Sequence, residues 1–333
     1  MNDEARMTNS EDHACAKMCS AIDITAPVSS FGFRHSSFIR GFGFRHCLLL
    51  LAFTLSACGK SPPPPSTQPI SPAIASMVPA ATDLLVGMGA KEHLVAVSTY
   101  DRNRSDVGNL PKAGDYETVD WEMLRSLHPS ILITQIKPER QSAGFKAKAA
   151  ELHIEPINIQ IENLDDIFKA LDTLGDALKD PALASGAKLR MHHRLDAVHE
   201  RVAGDKPIRT LIFTGTTPDY IAAPGGYLDD LLTIAGGVNA APATQDHWPK
   251  IDREMLLSLK PDAIIQLMPD ASPQERDQAA AIWRQYPQIP AVAAGRVYPI
   301  YEGYAQQPGW HVTDLAEQFS QCLHPSRSTT TRP

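Results

Sequence analysis

The chain has little of what a disulfide-stabilised scaffold or a nucleic-acid-binding protein needs. It carries only five cysteines in 333 residues, and no two of them form a CxxC pair, so neither a disulfide framework nor a CxxC metal site is expected. Acidic residues outnumber basic ones by 38 to 31, which gives a net charge of −7. A nucleic-acid partner calls for a basic face, so this balance argues against one.

Common catalytic motifs are also missing. The sequence has no HExxH, no GxSxG and no Walker loop. The short Gly-containing stretch GMGA at 87–90 is typical of the end of a helix and not of a phosphate-binding loop. An enzyme would therefore need scattered Asp and His residues to meet in space. No histidine-rich loop occurs either, which disfavours a zinc- or manganese-binding protein, because such sites draw mainly on histidines and acids.

Residues 1–57 have the pattern of an export leader. A stretch with three arginines and no acid at 31–46 precedes an apolar run at 47–55, which is the order of a secretory signal peptide. The run leads into Leu-Ser-Ala-Cys, which resembles the lipobox of bacterial lipoproteins, so Cys58 is expected to be acylated and to become the mature N-terminus. An ordinary signal peptide or a membrane anchor is the alternative, and both keep the protein outside the cytoplasm.

The first 30 residues do not look like the start of a signal peptide, because they contain five acids. We expect translation to begin later, at Met18 or at a non-Met start further on. After Cys58 the chain is rich in Pro and Ser without apolar periodicity, which predicts a semi-extended tether.

A fifteen-residue phrase occurs twice. VDWEMLRSLHPSILI at 119–133 returns as IDREMLLSLKPDAII at 251–265, a constant offset of 132 residues. Each copy has an Asp that can cap a helix, apolar residues on one helical face, and a Pro before an apolar run of strand length. His128 in one copy is Lys260 in the other, which indicates a base at a helix C-terminus and not a metal ligand. The repeat predicts two similar α/β lobes.

Short apolar strands alternate with helical patterns in both halves, which predicts an α/β fold with mainly parallel sheets. Asp180 and Pro181 can cap and open a helix that continues to an exit near Gly204. At about 1.5 Å per residue it would reach roughly 35 Å, so it can join the lobes and allows only small hinge motion. We expect these segments: leader 1–57, tether 58–73, N-terminal lobe 74–180, connecting helix 181–206, C-terminal lobe 207–325 and disordered tail 326–333.

Three stretches carry a family resemblance: ASMVPAATDLLVGMGAKEHLVAVSTY at 75–100, LPKAGDYETVDWEMLRSLHPSILI at 110–133 and HWPKIDREMLLSLKPDAII at 247–265. With the lipobox, the tether and the long helix, they resemble the ABC-transporter substrate-binding lipoproteins of the iron-siderophore and cobalamin family. The resemblance covers about 72–325. It implies a ligand cleft between the lobes, a lipid-anchored monomer outside the cytoplasm, no enzymatic activity, no cofactor, and an ABC permease and ATPase complex as partner.

Aromatic residues are concentrated in the loops expected at the cleft. Ligands of open α/β sheets lie beyond the carboxyl ends of the strands, and flat rings there suit a large rigid metal chelate or corrinoid. Trp121 and Trp283 fall in helical patterns and are expected in the core, whereas His247 and His311 are weaker candidates for contact with a metal or a haem. The predicted ligand-binding residues, each with loop packing as the alternative, are Tyr100, Tyr116, Tyr220, Trp248, Tyr301, Tyr304 and Trp310.

The resemblance also implies that an acid on each lobe pairs with arginines of the permease, a contact that mainly orients docking and raises its rate. Glu139, after the strand predicted at 130–135, and Glu275, in a similar segment of the second lobe, are the predicted pair. A first-turn acid favoured by the helix dipole is the alternative for both.

The sequence leaves the ligand open among cobalamin, a ferric siderophore and haem, since that choice depends on loop geometry. It is also compatible with a metal-binding relative of the same fold, with a cleft enzyme and with a scaffolding lipoprotein.

Overall fold

The computed structural model describes residues 71–136 and 141–327. The leader, Cys58, the tether up to residue 70, Glu139 and the tail from 328 lie outside these ranges. No helix within them is long and apolar enough to cross a bilayer.

The first lobe is built on a four-stranded parallel sheet in the order β2-β1-β3-β4. Its strands are β1 (Ile74–Ser76), β2 (Leu94–Ala96), β3 (Ile131–Thr134) and β4 (Glu155–Asn158). All residues of β1 and β3 are buried, because central parallel strands are covered on both faces, and this explains their unbroken apolar runs. The connecting helices are α1 (Pro79–Met88), α2 (Trp121–Leu127) and α3 (Ala143–Glu151).

Two helices lie between the sheets in the chain, α4 (Leu164–Leu178) and α5 (Pro181–Val202). The predicted connecting helix is α5, and Asp180 caps it by accepting a hydrogen bond from the backbone N–H three residues on, at 2.9 Å. Its 22 residues correspond to about 33 Å at 1.5 Å per residue. Helix α4 was not predicted, although Asn163 and Asp166 form a capping box at its start.

The second lobe repeats the order of the first. Strands β7-β5-β8-β9 are parallel neighbours in that sequence, and the short β6 pairs antiparallel with the end of β5. Its strands are β5 (Ile208–Thr214), β6 (Tyr220–Ile221), β7 (Gly237–Asn239), β8 (Ala263–Leu267) and β9 (Val297–Ile300). Its helices are α6 (Tyr227–Ile234), α7 (Arg253–Leu259), α8 (Pro273–Trp283), α9 (Pro290–Ala293) and α10 (Val312–Leu323).

The two copies of the repeated phrase fold alike, as α2 followed by β3 and α7 followed by β8. Asp120 caps α2 and Asp252 caps α7, and each accepts a hydrogen bond from the backbone N–H three residues on, at 3.0 and 2.7 Å. His128 and Lys260 follow the helices in the left-handed region, with φ of 50° and 45°. The prediction of two similar α/β lobes is therefore confirmed.

One apolar cluster runs through both lobes. Its most buried members, each at most 1% exposed, include Leu84 of α1, Leu171 of α4, Met191 of α5, Leu231 of α6 and Phe319 of α10. Moving the lobes far apart would bring this apolar surface into water, so we expect small hinge motions.

Candidate ligand-binding cleft

The segments that follow the strands enclose a large cavity between the lobes, here called the main cavity. Its volume is about 1110 Å³, and its walls include Tyr116, Trp121 and Gln135 from the first lobe and Trp248 and Gln306 from the second. Gln135 directly follows β3, so the cavity lies at the carboxyl edge of the sheet, where open α/β folds bind ligands. Small-molecule sites usually measure about 300–1000 Å³, so this one suits a large ligand.

Three smaller cavities adjoin the main one. The inner cavity, about 430 Å³, shares Tyr116 with it, and the side cavity, about 340 Å³, shares Trp248 with it. The acidic cavity, about 510 Å³, meets the inner cavity at Tyr100 and is lined by Asp83 and Asp106. Because neighbouring cavities share wall residues, the four form one interlobe cleft.

Two tyrosines of the first lobe form a stacked pair in this cleft. The ring centroids of Tyr100 and Tyr116 are 5.2 Å apart with 10° between the planes, and the residues are 56% and 41% exposed. A hydrogen bond with Tyr100, together with burial, raises the pKa of Tyr116 to about 12. Trp248 contributes a 38% exposed ring from the second lobe. All three are predicted ligand residues, and they offer flat apolar surface that a large ligand can cover.

Trp121 also lines the main cavity, which its helical pattern does not predict. It is the first residue of α2, so it lies at the edge of the lobe and not inside it. Its ring packs edge-on against Phe145 at 5.3 Å, and Nζ of Lys148 lies 5.9 Å from its centroid. Trp283 is buried, as predicted, and its Nε1 donates to Oε1 of Gln266 at 2.7 Å.

The other four predicted aromatic residues lie outside the main cavity. Tyr304 lines the acidic cavity, and Tyr220 is exposed in β6. The ring of Trp310 covers Gly87 so closely that a Cβ there would collide with it. An arginine guanidinium lies 3.9 Å from the ring centroid of Tyr301. Packing, the alternative to ligand binding for each ring, therefore accounts for the positions of Tyr301 and Trp310.

Glutamines form a second group of cleft residues, which the sequence patterns did not predict. The five that line the cleft are Gln135, Gln141, Gln245, Gln306 and Gln307. The amide nitrogen of Gln306 donates to the carbonyl of Leu267 at 2.9 Å, and that of Gln307 to the carbonyl of Pro79 at 2.6 Å. Each primary amide offers donors and an acceptor, so this set suits a neutral polar partner.

A charged network closes the acidic cavity and bridges the lobes. Arg104 lies 3.1 Å from Asp83, whose side chain is 3% exposed, and 2.7 Å from Asp106. His311 reaches the same network, with Nε2 3.7 Å from Asp83 and Nδ1 2.6 Å from Asp314. The hydrogen bond with Asp314 raises the pKa of His311. Its two carboxylate neighbours thus give His311 an interlobe structural role.

The side cavity contains His247. Glu162 of the first lobe and Tyr227 and Asp246 of the second line it as well. Nε2 of His247 lies 3.8 Å from a carboxylate oxygen of Glu162. Among the residues that the structure describes, no group of three His, Cys, Asp or Glu side chains is placed to hold a metal ion.

Of the predicted docking pair, Glu139 lies outside the described residues and Glu275 is exposed in the first turn of α8. The carboxylate of Glu275 accepts hydrogen bonds from the backbone N–H and the hydroxyl of Ser272, both at 2.7 Å, and these bonds lower its pKa. Ser142 caps α3 as Ser272 caps α8, so Glu139 precedes its cap by three residues whereas Glu275 follows its cap by three. The two acids do not occupy equivalent positions.

Glu122 and Glu254 do occupy equivalent positions. Each is the second residue of its helix, in α2 and in α7, and each is exposed. Glu122 also directly follows Trp121 on the wall of the main cavity.

Two similar α/β lobes, a long connecting helix and a cleft lined by rings and amides define a two-lobed solute-binding protein. The chain belongs to the periplasmic binding protein family, whose model matches residues 74–302. The matched range begins with β1 and ends just past β9.

Solved structures share this fold. The periplasmic heme binding protein of Vibrio cholerae has a TM-score of 0.65 at 19% identity, over 76% of this chain and 99% of that one. The periplasmic vitamin B12 binding protein of Vibrio cholerae has a TM-score of 0.62 at 22% identity, over 78% and 98%. A vitamin B12-binding protein of Yersinia pestis (strain Pestoides F) is 23% identical over 223 residues, which is 66% of this chain and 77% of the relative.

Proposed function

We propose that this protein is the extracytoplasmic solute-binding component of an ABC importer and that it captures a cobalamin-type ligand. The lining of the cleft carries this proposal. Of the described residues on the walls of the main, inner and side cavities, Lys148 is the only Lys or Arg, whereas Glu117, Glu162 and Asp246 are acidic. A corrinoid is large and rigid and carries mainly neutral carboxamides on its rim, so it matches stacked rings and glutamine amides in a lining with a single Lys.

Haem and ferric siderophores match this lining less well. Haem propionates and catecholate or citrate siderophores are anionic, and an anion taken out of water without a cation is costly. The relatives include a heme binding protein, and His247 stands next to Trp248 in the chain and in the side cavity. Haem is therefore the second candidate.

Quenching of tryptophan fluorescence separates these ligands, because Trp121 and Trp248 line the main cavity. We expect saturable quenching by cyanocobalamin and weaker binding of haemin and of a ferric catecholate. Tight binding of haemin with no response to cyanocobalamin would transfer the assignment to haem.

Docking to the permease is proposed to use one acid on each lobe. Glu139 and Glu275 are the pair expected from the sequence, and the equivalence of Glu122 and Glu254 within the repeat supports these two as the alternative pair. Replacing Glu139 and Glu275 by Ala should reduce uptake into whole cells while ligand affinity stays unchanged, since surface charges act mainly on orientation and association rate. The matched control replaces Glu122 and Glu254 by Ala, and a loss of uptake in that variant alone would favour the alternative pair. Equal losses of uptake and affinity would contradict a docking role.

The protein is further proposed to act as a monomer held at a membrane by a lipid on Cys58. The support is the sequence that ends in Leu-Ser-Ala-Cys and the Pro-rich stretch after it. Metabolic labelling with an alkyne fatty acid should mark the wild-type chain and not Cys58→Ser. Equal labelling of both chains would exclude this anchor.

A further inference from the structure

Two buried polar atoms on residues that line the side cavity lack partners. The hydroxyl of Tyr227 and Nδ1 of His247 make no hydrogen bond with the residues that the structure describes. Tyr227 is only 4% exposed, and burial raises the pKa of its hydroxyl, which therefore keeps its proton. Buried polar groups are nearly always paired, so these two call for a partner from outside the chain.

The side cavity is smaller than the main cavity and adjoins it. Its volume of about 340 Å³ is well below the 1110 Å³ of the main cavity, which it meets at Trp248. Both lobes build it, because the backbone N–H of Tyr227 donates to the carbonyl of Glu162 at 2.8 Å. A macrocycle in the main cavity could therefore extend one side arm into it.

The charges of the side cavity disfavour an anionic arm. Glu162 and Asp246 bring two carboxylates, and His247 is the only basic residue among the described residues that line it. A carboxylate or phosphate on the ligand would meet like charges, which costs affinity. A neutral carboxamide avoids this repulsion, and it can accept from a hydroxyl and donate to an imidazole nitrogen at once.

We propose that the side cavity is a subsite for one neutral carboxamide arm of the ligand. Both atoms are buried, so the two side chains turn toward the side cavity as the arm enters. The hydroxyl of Tyr227 then donates to the carbonyl of the arm, and the arm N–H donates to Nδ1 of His247. This subsite rests on the proposed function, and it would let the protein distinguish amidated from acidic forms of the same macrocycle.

Removing the two side-chain groups one at a time tests the contacts. In the full chain purified in detergent, Tyr227→Phe should bind cyanocobalamin roughly three- to tenfold more weakly, the effect of one hydrogen bond. The melting temperature without ligand should stay equal or rise, because an unpaired hydroxyl is deleted, whereas a merely structural tyrosine would lose stability. His247→Leu should weaken binding similarly, and His247→Asn, which keeps a polar atom, should restore part of it. Tyr298→Phe, on β9, is the matched control and should leave affinity unchanged.

Changing the charge of the arm tests the selectivity. The monocarboxylate derivatives of cyanocobalamin each replace one rim carboxamide by a carboxylate. One isomer should bind at least about tenfold more weakly than the parent, and Glu162→Gln should narrow that difference.

The outcomes separate the subsite from the proposed function. Wild-type affinity of Tyr227→Phe and His247→Leu, or equal binding of all monocarboxylates, would overturn the subsite while cobalamin binding stands. If the wild-type chain binds no cyanocobalamin, the proposed ligand fails, and haemin is compared with its neutral diamide. A preference for the diamide that Glu162→Gln reduces would support the subsite, and equal binding would overturn it.

Discussion

Truncation of Trp248 tests whether the exposed rings of the cleft bind the ligand. The residue is 38% exposed, and a tryptophan presents up to about 250 Å², so a ligand can cover about 95 Å² of it. At about 25 cal/mol per Å² this contact contributes about 2.4 kcal/mol. Trp248→Ala should therefore weaken the binding of cyanocobalamin about 50-fold.

The measurement is a calorimetric titration of the wild-type chain, Trp248→Ala and Trp248→Phe. The Phe variant keeps a ring and should lose less affinity than the Ala variant. Trp283→Phe is the contrasting control, because Trp283 is buried and bonded to Gln266, so it should lower the melting temperature and leave affinity unchanged. A loss below about threefold for Trp248→Ala would refute the assignment of this ring to the ligand surface.

Two glycines and one histidine in the interlobe region provide the remaining predictions. A Cβ on Gly175 would lie 2.5 Å from that of Ala184, so Gly175→Ala should destabilise the fold by about 1–3 kcal/mol. An Ala side chain at position 186 meets only the flexible end of an arginine at 3.6 Å, so Gly186→Ala should stabilise α5 by up to about 1 kcal/mol. If urea denaturation shows Gly175→Ala to be more stable than Gly186→Ala, the packing of α4 on α5 is contradicted. Because Asp314 raises the pKa of His311 above its ordinary 6.5, this pair stabilises the fold most below that pH, and the contribution is lost as pH rises through the higher folded pKa. The difference in unfolding free energy between wild type and His311→Gln should therefore be largest below pH 6.5 and shrink as the pH rises above it, and a constant difference would count against the ion pair.

The repeated phrase predicted the lobes well because its signals are local. Asp120 and Asp252 cap helices through bonds that span three residues, and the following Pro and apolar run mark the end of the helix and the next strand. Such patterns work at short range and need no knowledge of the rest of the fold. Helix α4 has a similar cap at Asn163, so its start could also have been predicted from the sequence.

The composition of the cleft was harder to predict, because it depends on long-range contacts. Gln135 and Gln306 lie far apart in the chain and line one cavity only after both lobes have formed. Glutamine is common on any surface, so nothing local distinguishes these two. Trp310 was predicted to line the cleft from its place in a loop, but its ring packs over Gly87 of α1 instead.

The docking acids illustrate how small offsets matter. The segments around Glu139 and Glu275 look similar in sequence, yet Ser142 and Ser272 begin their helices three residues after the one acid and three residues before the other. The cap bond of Glu275 with Ser272 gives this acid a local role that the pattern could not separate from docking.

Calorimetric titration of the full chain with cyanocobalamin decides whether the interlobe cleft binds a corrinoid. We expect saturable binding of one ligand per chain at micromolar or tighter affinity, about −8 kcal/mol or better. No heat with cyanocobalamin, together with tight binding of haemin or a ferric siderophore under the same conditions, would contradict it.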